Sequence, residues 1–173
     1  MDVQIRKIAW GAPKNIIAYH STKIGGWSNG AFKFSNMSLD VGDNPKDVNK
    51  NRASMIKQLG LNNKPVFMKQ IHSATVRVAK SPSDNLVCDS CYTTVKGLPL
   101  AVLSADCLPI LISSSDGNKI GVIHAGWRGL ASGIIQKFLK RFARDPKDVV
   151  VYIGPSINPE NYIIREDVFN KLS

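Results

Sequence analysis

Apolar positions along this 173-residue chain fall mostly into short runs bounded by turn residues, and only two stretches keep the 3.6-residue rhythm of a helix. Residues 3–10 and 16–20 read as short strands, and the Gly-rich stretch 23–30 reads as turns. The first helix opens at DNPKD. Asn44 is placed to cap it, Pro45 suits the first helical position, Val48, Met55, Ile56 and Leu59 supply an apolar face, and Gly60 ends it. Residues 66–80 are rich in β-branched side chains but break around His72-Ser73, which predicts two strands or one bent strand. Strands are expected again at 98–104, 109–113 and 119–125, the last two joined by a turn at 114–118. After Gly126-Trp127-Arg128-Gly129, the spacing of Leu130, Ile134, Ile135, Phe138, Leu139 and Phe142 predicts a second helix lying across a sheet. A fully apolar strand at 149–153 then ends at Gly154-Pro155. Hairpin links between some strands favour an α+β or mixed α/β fold, a single-domain sandwich of mixed β-sheet with packed helices, over a strict doubly wound sheet.

Composition narrows the class. A chain of this length with 43% apolar residues fits one domain, residues 1–173, and no linker, repeat or low-complexity stretch divides it. No run approaches the ~20 apolar residues of a membrane helix, and the first residues lack the apolar core of a secretory signal. A cytoplasmic protein without a membrane partner is the simplest expectation. Cys88, Cys91 and Cys107 are too few, and odd in number, for a disulfide framework. The Cys88-Asp89-Ser90-Cys91 spacing matches a redox motif but lacks the helix-opening context and the second Cys pair of a zinc site, so it reads as incidental.

The net charge of +10 comes mostly from scattered side chains. One stripe, Lys137, Lys140, Arg141 and Arg144, follows helical spacing and can touch phosphates, yet no aromatic residues interleave with it, so a solvated helix face is the favoured reading and nucleic acid is not the expected partner.

Chemistry enters at AVLSADCLPIL, residues 101–111, where an apolar run meets Asp106 and Cys107. A thiol needs no special reason to be buried, but an unpaired carboxylate does. His72 and His124 also follow strand-like runs, and strand ends carried by one sheet converge. Two imidazoles and a thiolate satisfy the three-ligand rule of a catalytic zinc site, with Asp106 orienting a histidine or handling a proton. The separations of 35 and 17 residues match no local metal signature, so spacing alone leaves ordinary core roles as the default for each residue singly. His20 has no comparable setting.

The blocks KQIHSATV, GLPLAVLSADCLPILI, GVIHAGWRGLASGII and YIGPSINPENY, with the earlier GGWSNGAFKFSNMSLDVGDNPKDVNKNRASM, resemble the signature blocks of the YfiH/laccase-domain family, named for polyphenol oxidation and understood as purine nucleoside phosphorylases. The resemblance implies one zinc held by His72, Cys107 and His124. It implies phosphorolysis of adenosine, inosine, guanosine and methylthioadenosine, deamination of adenosine, and an architecture related to bacterial toxin deamidases. A purine nucleoside and phosphate are then the partners, with Arg52 and Arg128 the candidates to hold phosphate; a monomer is slightly favoured.

The chain departs from the family pattern in three places. Lys23 replaces the usual arginine before the GG turn, Glu160 to Ile164 replace a cysteine-containing stretch, and the usual C-terminal segment is expected to be missing beyond FNKLS.

Three other readings remain. Copper is the less favoured metal: three histidines cannot build a multicopper centre, although a single His₂Cys copper with Met68 as a weak ligand stays open. A metal-free Cys–His nucleophile and an inactive basic binding module are the others.

Overall fold

A computed structural model describes residues 1–143, 145–164, 166, 168 and 171. The chain divides into two compact units, one of residues 1–10 and 17–64, the other of residues 11–16 and 65–173. Among the described residues no helix is long and apolar enough to cross a membrane.

In the first unit, β1 (Ile5–Lys7) and β2 (Tyr19–Ser21) pair antiparallel; β1 lies inside its predicted range and β2 runs one residue past the end of its own. The helix α1 (Pro45–Gln58) starts as expected, with the Asn44 side chain accepting from the Lys46 N–H at 3.0 Å. Its buried face differs from the expected apolar one. Val48 is buried together with Asn51, Arg52 and Ser54, while Met55 and Ile56 are only half-buried. The reason is that this face binds irregular backbone, whose polar groups need partners.

Asn51 accepts from the Trp27 N–H at 2.8 Å and donates to Ser28 Oγ at 3.0 Å and to the Asn36 carbonyl at 2.8 Å; Arg52 Nε donates to the Met37 carbonyl at 2.8 Å. The turn-rich segment can come this close because Gly26 has φ 90° and no Cβ: one built there would lie 2.7 Å from Ser35 Cα and 2.7 Å from Asn51 Oδ1.

The second unit is layered. A five-stranded mixed sheet has the order β10 (Val149–Ile153), β8 (Leu108–Ser114), β9 (Ile120–Ala125), β6 (Ser90–Thr93), β4 (Val76–Val78). A three-stranded parallel sheet has the order β5 (Ser83–Val87), β3 (Val66–Lys69), β7 (Leu100–Ala101). On one face of the larger sheet, Ile110, Ile112, Ile123 and Ala125 pack against Ile134, Phe138 and Phe142 of α3 (Ile134–Phe142). On the other face Val122 and Cys91 join Val66, Met68, Ala79, Cys88 and Leu98 in a second core. Period-two alternation explains the split, because neighbours Val122 and Ile123 point to opposite faces.

Several sequence expectations change here. The break at His72-Ser73 does separate two strands, and they belong to different sheets. The helix expected from Leu130 onward is two: α2 (Trp127–Ala131) stops before Gly133, which at φ 74° reverses the chain ahead of α3. The apolar run at 149–153 is an edge strand with Val151 and Ile153 exposed, so its composition alone overstated its burial. Strands β5 and β6 gave no signal because SDNLV and SCYT lack a clean alternation. Of the basic stripe, Lys137, Lys140 and Arg141 lie on the exposed face of α3, and Arg144 falls outside the described residues.

Asn51 holds the loop of the first unit through three partners. Asn51→Ala is therefore expected to lower the unfolding free energy by about 2–4 kcal/mol, because it leaves buried backbone groups unsatisfied. Urea unfolding followed by tryptophan fluorescence checks this, and an unchanged midpoint would contradict it.

Candidate metal centre

All three candidate ligands belong to the second unit, and its topology brings them together. Strands β8 and β9 are antiparallel neighbours with Pro109 opposite His124, so the start of β8, which Cys107 directly precedes, lies beside the end of β9. His72 comes from the crossing between the sheets, after β3 and before β4. The donor atoms of His72, Cys107 and His124 all lie within 4.8 Å of one another, and the two imidazole rings meet nearly edge-on with centroids 4.9 Å apart. His124 is buried, Cys107 half-buried and His72 exposed, so the group opens to solvent on the His72 side.

Convergence of strand ends, expected from the sequence, holds for His124 only. Cys107 sits in a bend that precedes β8, with the Ser104 hydroxyl donating to its carbonyl. His72 sits in a turn with φ 58°, a left-handed conformation costing a non-glycine residue about 1–3 kcal/mol, which persists only where surrounding contacts enforce it.

Two side chains provide those contacts, and the sequence reading singled out neither. The Gln70 amide donates to the Leu103 carbonyl and accepts from the Leu103 N–H, both at 2.8 Å, tying the His72 turn to the segment leading into Cys107. Asp89 is fully buried. Its Oδ1 accepts from the His72 N–H and meets His124 Nδ1, both at 2.9 Å; its Oδ2 accepts from the Ser73 N–H at 2.7 Å, the Ser73 hydroxyl at 2.8 Å and the Ile71 N–H at 3.3 Å. Burial raises its pKa, and the bonds from His124, Ser73 and Ile71 more than offset that, leaving the carboxyl below its ordinary value.

The acid that the sequence reading placed in the apolar run is not the buried one. The run breaks after Ala101, and Asp106 stands exposed in the bend, so its carboxylate needs no buried partner. It does act on its neighbour. Burial first, then the charges of Asp106 and Asp89, push the Cys107 thiol above its ordinary pKa. The sulfur therefore holds its proton more firmly than an ordinary thiol, and a bound cation would displace that proton.

Space also fits an ion. Gly126, at φ −69°, has a conformation open to any residue, yet a Cβ there would lie 3.1 Å from Cys107 Sγ and 3.2 Å from His72 Cδ2. The donor set suits zinc: two imidazoles, one thiolate and an open side.

The other candidates are carried by other elements. Arg128, exposed on α2, has its guanidinium over the Trp127 ring at 4.3 Å. Arg52 is buried in the first unit on α1, and His20 lies on β2. Met68 is buried in the core between the sheets, as are Cys88 and Cys91, which supports no exposed redox role for that pair.

A layered mixed α/β unit carrying a solvent-open His–Cys–His cluster defines the class. Residues 17–173 match the family model described as multi-copper polyphenol oxidoreductase laccase, and the chain belongs to that family, the laccase-domain or YfiH family. It is 37% identical to the purine nucleoside phosphorylase of Haemophilus influenzae over 94% of this chain and 66% of that one, and 34% identical to purine nucleoside phosphorylase YfiH of Escherichia coli over 92% and 66%. The chain thus spans just under two thirds of the length of these curated relatives. Among solved structures it superposes on a Neisseria meningitidis protein with TM-score 0.85 and 33% identity, covering 96% of this chain and 69% of that one. For YlmD from Geobacillus stearothermophilus the TM-score is 0.82 at 32% identity, covering 94% and 66%.

Gly126→Ala is expected to leave the fold intact and to weaken zinc binding at least tenfold, because its methyl enters the space between Cys107 and His72. Circular dichroism and chelator competition check this; unchanged affinity in the folded variant would show that the cradle is not where the ion sits.

Proposed function

We propose that this chain acts as a purine nucleoside phosphorylase that uses one zinc ion, with deamination of adenosine as a second activity at the same site. The observation that carries the reading is the cluster of His72, Cys107 and His124, three donors with an open side, in a chain whose curated relatives bear the phosphorylase name.

His72, Cys107 and His124 would hold the zinc. When bound, it would supply Lewis acidity toward a substrate oxygen. Cys107 would bind it as the thiolate, and the Nδ1 bond to Asp89 leaves the other ring nitrogen of His124 as donor. Arg128 is exposed on α2, and its stacking on Trp127 holds the guanidinium plane in place, which suits it to receive a phosphate oxygen pair. Phosphate oxygen then attacks the sugar carbon as the bond to the base breaks, and the base leaves with a proton. Asp106, exposed beside Cys107, would handle that proton.

Zinc is preferred to copper because the three histidines of the chain cannot furnish a multicopper centre, and Met68 is packed in an apolar core.

Purified protein incubated with adenosine is expected to release free adenine and ribose-1-phosphate only when phosphate is present, and to stop when zinc is chelated. Phosphate-independent turnover that survives chelation and is abolished by thiol alkylation would overturn the reading in favour of a Cys–His nucleophile. Stoichiometric copper without zinc in the isolated protein would overturn the choice of metal.

A further inference from the structure

The Cys88-Asp89-Ser90-Cys91 motif has no part in the proposed chemistry through its cysteines, both of which are sealed in the core between the sheets. The residue between them is different. Asp89 sits at the bend joining β5 to β6, and its main chain and side chain reach the two histidines by separate routes. The Asp89 carbonyl accepts from the His124 N–H at 2.7 Å, fixing the backbone of β9, while Oδ1 lies 2.9 Å from His124 Nδ1, fixing the ring. The same carboxylate receives three consecutive backbone N–H groups, those of Ile71, His72 and Ser73, with the Ser73 hydroxyl added.

We infer that Asp89 is the positioning residue of the metal centre: its carboxylate fixes the Nδ1–H tautomer of His124 and, through the N–H groups of residues 71–73, holds His72 in the left-handed turn that aims its ring at Cys107. The inference rests on the reading of His72, Cys107 and His124 as metal ligands.

Two features of the geometry carry it. A carboxylate can only accept, so the proton between Oδ1 and Nδ1 belongs to the imidazole and the lone pair is directed to Nε2. And the left-handed backbone at His72 is enforced by donors that all converge on one acceptor, so losing the acceptor frees the turn. Partners of this kind commonly set metal affinity by about 10–100-fold.

The test uses the full chain and zinc alone. Asp89→Asn keeps the volume but places an amide N–H₂ against groups that are themselves donors. It is expected to weaken zinc binding by about 10–100-fold in a competition with a chromogenic chelator. It is also expected to remove the Nδ1–H signal of His124 from the nitrogen-resolved NMR spectrum. Zinc affinity within twofold of the parent in a folded Asp89→Asn protein, with the tautomer retained, would overturn the inference.

If Asp89→Asn does not fold, Ser73→Ala decides. It removes one donor to Oδ2, so a several-fold weaker affinity supports the inference and an unchanged one overturns it. Should the parent protein itself take up no zinc, the ligand reading fails on that result. The His124 tautomer in the metal-free parent and variants then judges Asp89 by itself: loss on substitution supports positioning, and retention overturns it.

Discussion

A carboxylate sealed from water must find donors for its lone pairs inside the protein, and Asp89 finds all of them in the two segments that carry the histidines. That requirement couples elements distant in sequence: the bend between β5 and β6, the turn between β3 and β4, and the end of β9. The register of β6 against β9, with Ser90 opposite Ile123, brings Asp89 level with His124 before any side-chain contact is made. Gln70 extends the same logic to the third candidate ligand, since its reciprocal bonds with Leu103 fix the His72 turn against the segment that delivers Cys107. The cluster is thus a consequence of polar groups satisfying one another at the margin of two apolar cores.

The site was legible in the sequence to the extent that its residues have rare chemistry. Three histidines and three cysteines offer few combinations, and the resemblance of KQIHSATV, ADCLP and HAGWRG to known blocks selected one of them. Asp89 was not legible, because a carboxylate in CDSC looks like any loop acid until the bend that buries it is known. The burial expected of Asp106 was mistaken for the converse reason. It interrupts an apolar run, which suggested burial, but the strand had already ended at Ala101 and the acid lies in an exposed bend. Gly126 gave no signal either, since only the proximity of Cys107 and His72 makes a methyl group matter there.

The fold followed the same division. Elements with strong local signals, α1 with its Asn44 cap and the β8–β9 hairpin with its turn at 114–118, formed where the pattern put them. Local patterning failed where long-range context decides. The buried side of α1 is polar because it clamps backbone, β10 is half exposed because it is an edge, and β5 and β6 are held by neighbours rather than by alternation. The larger sheet needs both of its faces covered, by α3 on one and the parallel sheet on the other, and β8 and β9 lie between these two layers.

The central claim is that His72, Cys107 and His124 close around one zinc ion and leave it an open position. X-ray absorption at the zinc edge of the purified, loaded protein tests it directly. The account predicts two nitrogen scatterers at about 2.0–2.1 Å and one sulfur at about 2.3 Å, with a further light atom completing the shell. A first shell without sulfur, or one with a single nitrogen, would contradict it.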